Sequence, residues 1–319
     1  MNRPYAKPLP AERMLPAADD FRHRKIALES FSSIGHRMSG GHGRFAPAEA
    51  FSLIDEMMRD DDEPVTGLAT EPAEPHALDE LPGGTGMGSM FHHIFETIDF
   101  QAVLNGPADI LEDDRLQRVV EDAMALYRID MRWAPCISRI VAQTLRRPIA
   151  VDDQVLQLGQ LTPAQRRHEI EFYFPLAESF EGSEGVNGCS LDKGPCREMV
   201  VRGFIDLVFA WKDRFYIADW KSNRLSQGYQ QDAMQMEMEA AGYDLQYQLY
   251  SLSTLRWLKK KMGDGFDPYR HFGGVFYLFI RGMDGQDQRD GVFHVPPAQL
   301  LPVEALEKTI RQRIARIHW

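Results

Sequence analysis

From about residue 84 onward the chain alternates between stretches with helical and strand-like spacing of apolar residues. GMGSMFHHIFETIDFQAVL (Gly86–Leu104) reads as a glycine-flexed start followed by an amphipathic helix. Leu116, Val119, Val120, Ala123, Leu126 and Tyr127 recur at helical spacing, which predicts two helices between Asp113 and Arg147. HEIEFYFPL (His168–Leu176) predicts a strand, and EGSEGVNGCSLDKGPC (Glu181–Cys196) a glycine-rich loop. Two apolar runs then follow, GFIDLVFAW and RFYIADWKSN, joined by a short charged turn. YDLQYQLYSLSTLRWLKKK (Tyr243–Lys261) predicts a long helix, HFGGVFYLFIRG (His271–Gly282) a buried strand, and a last helix begins at Val303. Near the start, IALESFSSIGHRM (Ile26–Met38) is apolar enough to dock on a core, with Ser30, Ser32 and Ser33 as candidate helix caps. This order predicts an α/β fold, a mixed sheet flanked by helices.

Composition adds limits. With 319 residues, 44% hydrophobic and 26% charged, the chain can bury a sizeable core. It has no apolar run of about 18 residues, and its opening MNRPYAKPLPAERMLPAADD lacks the apolar centre of a secretory signal. Cys136, Cys189 and Cys196 are too few for a disulfide framework or an all-cysteine metal site, so free thiols in a reducing cytoplasm are expected. The net charge of −11 at first argues against a nucleic-acid partner. However, ten acidic residues between Asp55 and Glu80 face Arg59 alone, so most of that charge belongs to one Pro-rich stretch without Phe, Tyr or Trp in Asp60–Gly84. The expected organisation is a mobile tail at 1–25, a segment at 26–50 docking on the body, an acidic linker at 51–84 and the main domain at 85–319.

The chemistry lies in the two apolar runs, each of which contains an aspartate. If the hairpin turns at Lys212–Asp213, Val208 faces Ile217 and Asp206 faces Asp219, with Cβ atoms roughly 4.5–5.5 Å apart. Lys-Asp is not a favoured two-residue turn, and a bulge would shift that register by one. Lys221, two residues beyond Asp219, points to the same face. Two buried carboxylates this close repel unless one is protonated or a cation lies between them. A hard divalent metal resolves the conflict. A solvated hairpin edge is the plainer alternative, but Phe204, Ile205, Leu207 and Ile217 surround these charges.

GFIDLVF, IADWKSN and YDLQYQLY together resemble the nuclease domain of the RecB family within the PD-(D/E)xK superfamily. FHHIFETIDF, EIEFYFPL and HFGGVFYLFIRG follow the same block order, and the likeness covers roughly residues 84–300. An Asp-x-Lys triplet alone is weak evidence, whereas the ordered set is specific. The resemblance implies a restriction-endonuclease-like fold and a metal site formed by His92, Asp206, Asp219 and the carbonyl of Trp220. It further implies catalytic roles for Asp206, Asp219, Lys221, Gln246 and Tyr250, and for Glu169 in preference to Glu171 on the same strand face. Without it, His92 would read as an ordinary core histidine, and Gln246 and Tyr250 as helix surface. Glu96, one turn after His92, either orients that ring or faces water, and Lys259, Lys260 and Lys261 read as a solvated helix end.

The implied cofactor is Mg²⁺, with Mn²⁺ as a substitute and Ca²⁺ binding without supporting catalysis. The implied activity is hydrolysis of DNA, single-stranded in that family, in repair, recombination or the destruction of foreign DNA; RNA is not excluded by the metal chemistry. A recombinase is the other partner implied, and a non-catalytic DNA- or recombinase-binding module is the alternative reading. The chain has no G-x-x-x-x-G-K-[ST] loop, so a helicase motor is expected on a separate chain or on a longer parent polypeptide.

Overall fold

The computed structural model describes residues 26–30, 81–176, 198–283 and 289–317. The predicted tail at 1–25, residues 31–80 with most of the acidic stretch, and the Gly-rich loop at 181–196 lie outside the described residues.

A six-stranded mixed sheet organises the chain. Its strands are β1 (Ile26–Ser30), β4 (Arg166–Leu176), β5 (Glu198–Trp211), β6 (Arg214–Lys221), β7 (Phe272–Phe279) and β8 (Val292–Val295); β2 (Ile149–Val151) and β3 (Gln154–Leu156) form a separate small hairpin. β4 runs antiparallel along nearly the whole of β5. The opposite edge of β5 is shared: its first residues pair in parallel with β1, and its last with β6. β6 and β7 are parallel, and every residue of β7 is buried, as expected of a strand covered on both faces.

One face of the sheet is covered by α1 (Thr85–Thr97), α2 (Phe100–Leu104), α3 (Asp114–Tyr127) and α4 (Ala134–Arg146), whose apolar residues join one core cluster. The other face carries α5 (Gln231–Ala240), α6 (Tyr243–Met262) and α8 (Val303–Ile317), which form the second cluster; α7 (Pro268–His271) is a single turn before β7. Asp99 separates α1 from α2 by accepting hydrogen bonds from the N–H groups of Gln101 and Ala102, which ends the single predicted helix over 86–104. At the start of β7, Gly273 is the residue that shifts the β6–β7 register. A Cβ there would overlap the ring of Tyr216, and Gly274 has a φ of +99°.

Three features depart from the sequence reading. Residues 26–30 form a strand that includes the candidate cap Ser30, while Ser32 and Ser33 lie outside the described residues; β6 pairs β5 only from Leu207 onward, and the earlier backbone groups of β5 need another partner. Leu81, inside the predicted linker, is fully buried in the first core cluster. α5 and β8 were not anticipated, since neither has a strong apolar period.

Candidate metal and active centre

The hairpin turns as the sequence suggests. Lys212 and Asp213 have φ of 46° and 64°, the two left-handed residues of a type I′ connection, despite being poor residues for it. The ladder runs from Trp211↔Arg214 to Leu207↔Ala218. It stops one pair short of Asp206 and Asp219, where Asp206 Oδ2 instead accepts the Trp220 N–H at 2.9 Å.

The reason lies in the phase of the strands. Leu207, Phe209 and Trp211 belong to the first cluster, but the equally odd-numbered Val201 and Ile205 belong to the second. β4 switches too: Arg166 and His168 lie against Phe100 of the first layer, whereas Ile170 and Phe172 pack in the second. Regular alternation cannot do this. The switch falls at Glu169, with a φ of 48°, and at Asp206, the one pair of positions at which the β4–β5 ladder is interrupted. The inversion therefore presents two carboxylates where the sheet turns over.

α1 delivers the third group. Phe91, Ile94 and Phe95 are fully buried, and Phe95 stacks on Trp220 at 4.2 Å. That contact fixes the helix over the end of β6 and directs His92 toward the inversion. His92 Nδ1 is 3.4 Å from Asp206 Oδ1 and 3.8 Å from Glu169 Oε1. One atom from each of His92, Glu169 and Asp206 lies within 4.8 Å of the others. An imidazole nitrogen with carboxylate oxygens is a hard, largely oxygen donor set, which fits a small divalent cation.

Asp219 and Lys221 stand beside this group as an ion pair, Nζ to Oδ1 2.7 Å, with both residues almost fully buried. Burial, and after it the Asp206 carboxylate, push the Asp219 carboxyl up to about 6 against the pull of Lys221. Burial pulls the Lys221 ammonium down, but Asp219 outweighs it and holds the group above its ordinary value. Lys221 Nζ also reaches Gln246 Oε1 at 3.4 Å and lies 4.1 Å from the ring centre of Tyr243 and 5.3 Å from that of Tyr277. Gln246 Nε2 donates to Tyr250 OH at 2.9 Å, so the i, i+4 pair on α6 meets the lysine as a unit.

The remaining candidates sort by position. Glu171 is engaged away from the centre, accepting from Arg202 Nε and Tyr173 OH, each at 2.8 Å. Glu96 is exposed, as are Lys259, Lys260 and Lys261 at the end of α6. Trp220 contributes its N–H to Asp206. Sequence reasoning missed Tyr277 and Tyr243, whose only signal is a hydroxyl-bearing ring in an apolar strand and at a helix start. It also missed Arg281, 3% exposed, which donates to the carbonyls of Ser222, Leu81 and Pro82 at 2.6, 2.7 and 2.5 Å. That guanidinium ties the residue after Lys221 to the segment leading into α1.

Comparison with known proteins agrees with this architecture. A family model for the PD-(D/E)XK nuclease superfamily matches residues 65–319. The chain belongs to the PD-(D/E)XK nuclease superfamily. Among curated relatives, the RecBCD enzyme subunit RecB of Escherichia coli (strain K12) is 32% identical over 284 residues, covering 85% of this chain and 22% of that protein. RecB of Haemophilus influenzae is 32% identical over 238 residues, 70% of this chain and 18% of that protein. RecB of Mycolicibacterium smegmatis is 28% identical over 350 aligned residues, 95% of this chain and 31% of that protein. The chain thus spans between 18% and 31% of the length of these relatives. Its mixed sheet flanked by helices is the restriction-endonuclease-like arrangement expected from the sequence. Among the described residues, no helix is long and apolar enough to cross a membrane.

Proposed function

We propose that this chain is a divalent-metal-dependent nuclease that hydrolyses phosphodiester bonds of DNA, with single strands as the preferred substrate. The observation that supports it best is the convergence of His92, Glu169 and Asp206 beside a buried Asp219–Lys221 pair. His92, Asp206 and Asp219, with Glu169 and the Trp220 carbonyl as further donors, would hold Mg²⁺ or, in its place, Mn²⁺. When bound, such an ion supplies Lewis acidity at the scissile phosphate.

The chain's own residues supply the rest. Lys221 enters as an ammonium, kept in that form by Asp219 at 2.7 Å, and offsets charge as the phosphorus becomes pentacoordinate. Asp206 is anchored through its bond to the Trp220 N–H, which keeps one oxygen turned toward His92. Gln246 and Tyr250 fix the lysine from the helix side. Water attacks the phosphorus and loses a proton to solvent, the P–O bond to the 3′ oxygen breaks, that oxygen takes up a proton from solvent to leave as a hydroxyl, and the other product retains a 5′ phosphate. None of these groups is arranged to read base edges, so affinity would come from phosphates and fall with salt.

The curated relatives are named as subunits of an enzyme, which supports a partner chain; a separate motor that delivers the strand, in DNA repair or recombination, is the reading we adopt. The test is degradation of end-labelled single- and double-stranded oligonucleotides with Mg²⁺, Mn²⁺, Ca²⁺ or EDTA. Cleavage with the first two ions, lost in Asp206→Asn and Lys221→Met, is expected. DNA binding without cleavage under all conditions would instead assign a non-catalytic binding module, and equal cutting of RNA would remove the restriction to DNA.

A further inference from the structure

Among the side chains around Lys221 is a hydroxyl group that the proposed chemistry does not use directly. Tyr277, in the middle of β7 and fully buried, pairs across the ladder with Asp219 and donates its hydroxyl to Gln246 Oε1 at 2.8 Å. That oxygen is also the one facing Lys221 Nζ. A side-chain amide has two ends of nearly the same shape, and only its hydrogen bonds decide which way it points. Here the nitrogen end donates to Tyr250, while the oxygen end receives both Tyr277 and the lysine. Tyr250 does not settle the choice, because a hydroxyl can donate as readily as it accepts. The single proton of Tyr277 has another acceptor within reach, the Tyr243 carbonyl at 3.4 Å, and the much shorter approach to Gln246 Oε1 is the favoured bond. A phenol keeps its proton near neutral pH, so the hydroxyl is a donor.

We propose that Tyr277 is a positioning residue for the nuclease reaction: its hydroxyl fixes the Gln246 amide with oxygen toward Lys221, and so holds the ammonium against Asp219. Without the hydroxyl, the amide is free to turn its NH₂ toward the ammonium, two donors would face each other, and the lysine would lose its second tether. The ring is a separate matter. It stacks on Tyr243 at 5.6 Å and lies 5.3 Å from Nζ, and those contacts survive in phenylalanine.

Tyr277→Phe therefore removes only the orienting bond. This inference rests on the nuclease reading, and two measurements separate their fates. The first is steady-state cleavage of a single-stranded oligonucleotide by wild type, Tyr277→Phe, Gln246→Leu and the double variant. The expected result is a kcat about tenfold lower for Tyr277→Phe, with KM and thermal midpoint little changed, and no further loss when it is added to Gln246→Leu. Unchanged kcat, or full additivity with Gln246→Leu, would overturn the proposal. The second is the crystal structure of Tyr277→Phe, which does not depend on activity. Separation of Lys221 Nζ from Gln246 is expected, and an unaltered contact would sink the positioning role even if the wild-type chain cut nothing. A wild type without metal-dependent cleavage would refute the nuclease reading alone.

Discussion

Replacing Asp206 with Asn isolates the conflict that a cation would resolve. The change preserves shape and leaves an oxygen to accept the Trp220 N–H, but it removes one of two neighbouring buried carboxylates. Asp219 is raised from 3.8 to about 6, which is roughly 3 kcal/mol against its ionised form at about 1.4 kcal/mol per unit. Burial is the larger cause and Asp206 the second, so the substitution lowers the Asp219 carboxyl but relieves less than half of what raises it. The sign follows from linkage. A carboxyl raised in the folded state costs stability as pH climbs from its unfolded value to about 6, and the full cost is present above that. In EDTA at pH 7.5 the relief of this repulsion is partly offset by the lost attraction of Asp206 for Lys221, so Asp206→Asn is expected to be at least as stable as wild type, with a gain of no more than about 1 kcal/mol. Saturating Mg²⁺ should reverse the order, because an ion at a hundred times its dissociation constant adds about 2.7 kcal/mol only to the protein that binds it. Urea denaturation of both proteins, with EDTA and with Mg²⁺, measures the four values. A variant less stable than wild type in EDTA, or a gap that Mg²⁺ leaves unchanged, would refute the reasoning.

Lys221→Met should lower single-turnover cleavage by at least a hundredfold while Mn²⁺ binding, followed by calorimetry, stays within about tenfold of wild type; comparable losses in both would show that the lysine acts through the metal donors. His168, held down to about 4 by burial first and then by Arg166, must gain a proton on unfolding below its usual range. It should cost roughly 3 kcal/mol of stability between about pH 6.5 and pH 4, and a His168→Gln variant should lose that part of the pH dependence in urea titrations. Arg281→Met removes three bonds to backbone carbonyls in a closed site and should destabilise the fold by about 3 kcal/mol; a loss under 1 kcal/mol would mean that water replaces the guanidinium.

The hairpin register was legible because one turn and a two-residue period determine every pair from Trp211 to Leu207. The same period hid the inversion at Glu169 and Asp206. An alternation pattern records which residues share a side, but it cannot record a strand changing sides at one left-handed residue. Glu169 and Glu171 thus look equivalent in sequence, although only the first lies within reach of His92. Strand β1 was obscured by Ser30 at its end, which suits a helix cap as well as an edge. Tyr277 was hidden for a different reason, as its hydroxyl matters only through a glutamine on another element. His92 and the i, i+4 pair Gln246 and Tyr250 could be singled out by the family resemblance, but not by spacing alone.

Strand β1 and Leu81 have a joint consequence for how the polypeptide is tethered. The first is laced to β5 and the second is sunk in the core, so the fifty residues between them are held at both ends. A protease cut within that span would not shed the N-terminal piece, which would stay attached through the parallel ladder. A chain shortened to start at 81 would instead bare the first half of β5 and acquire an adhesive border, ready to recruit a strand from another molecule.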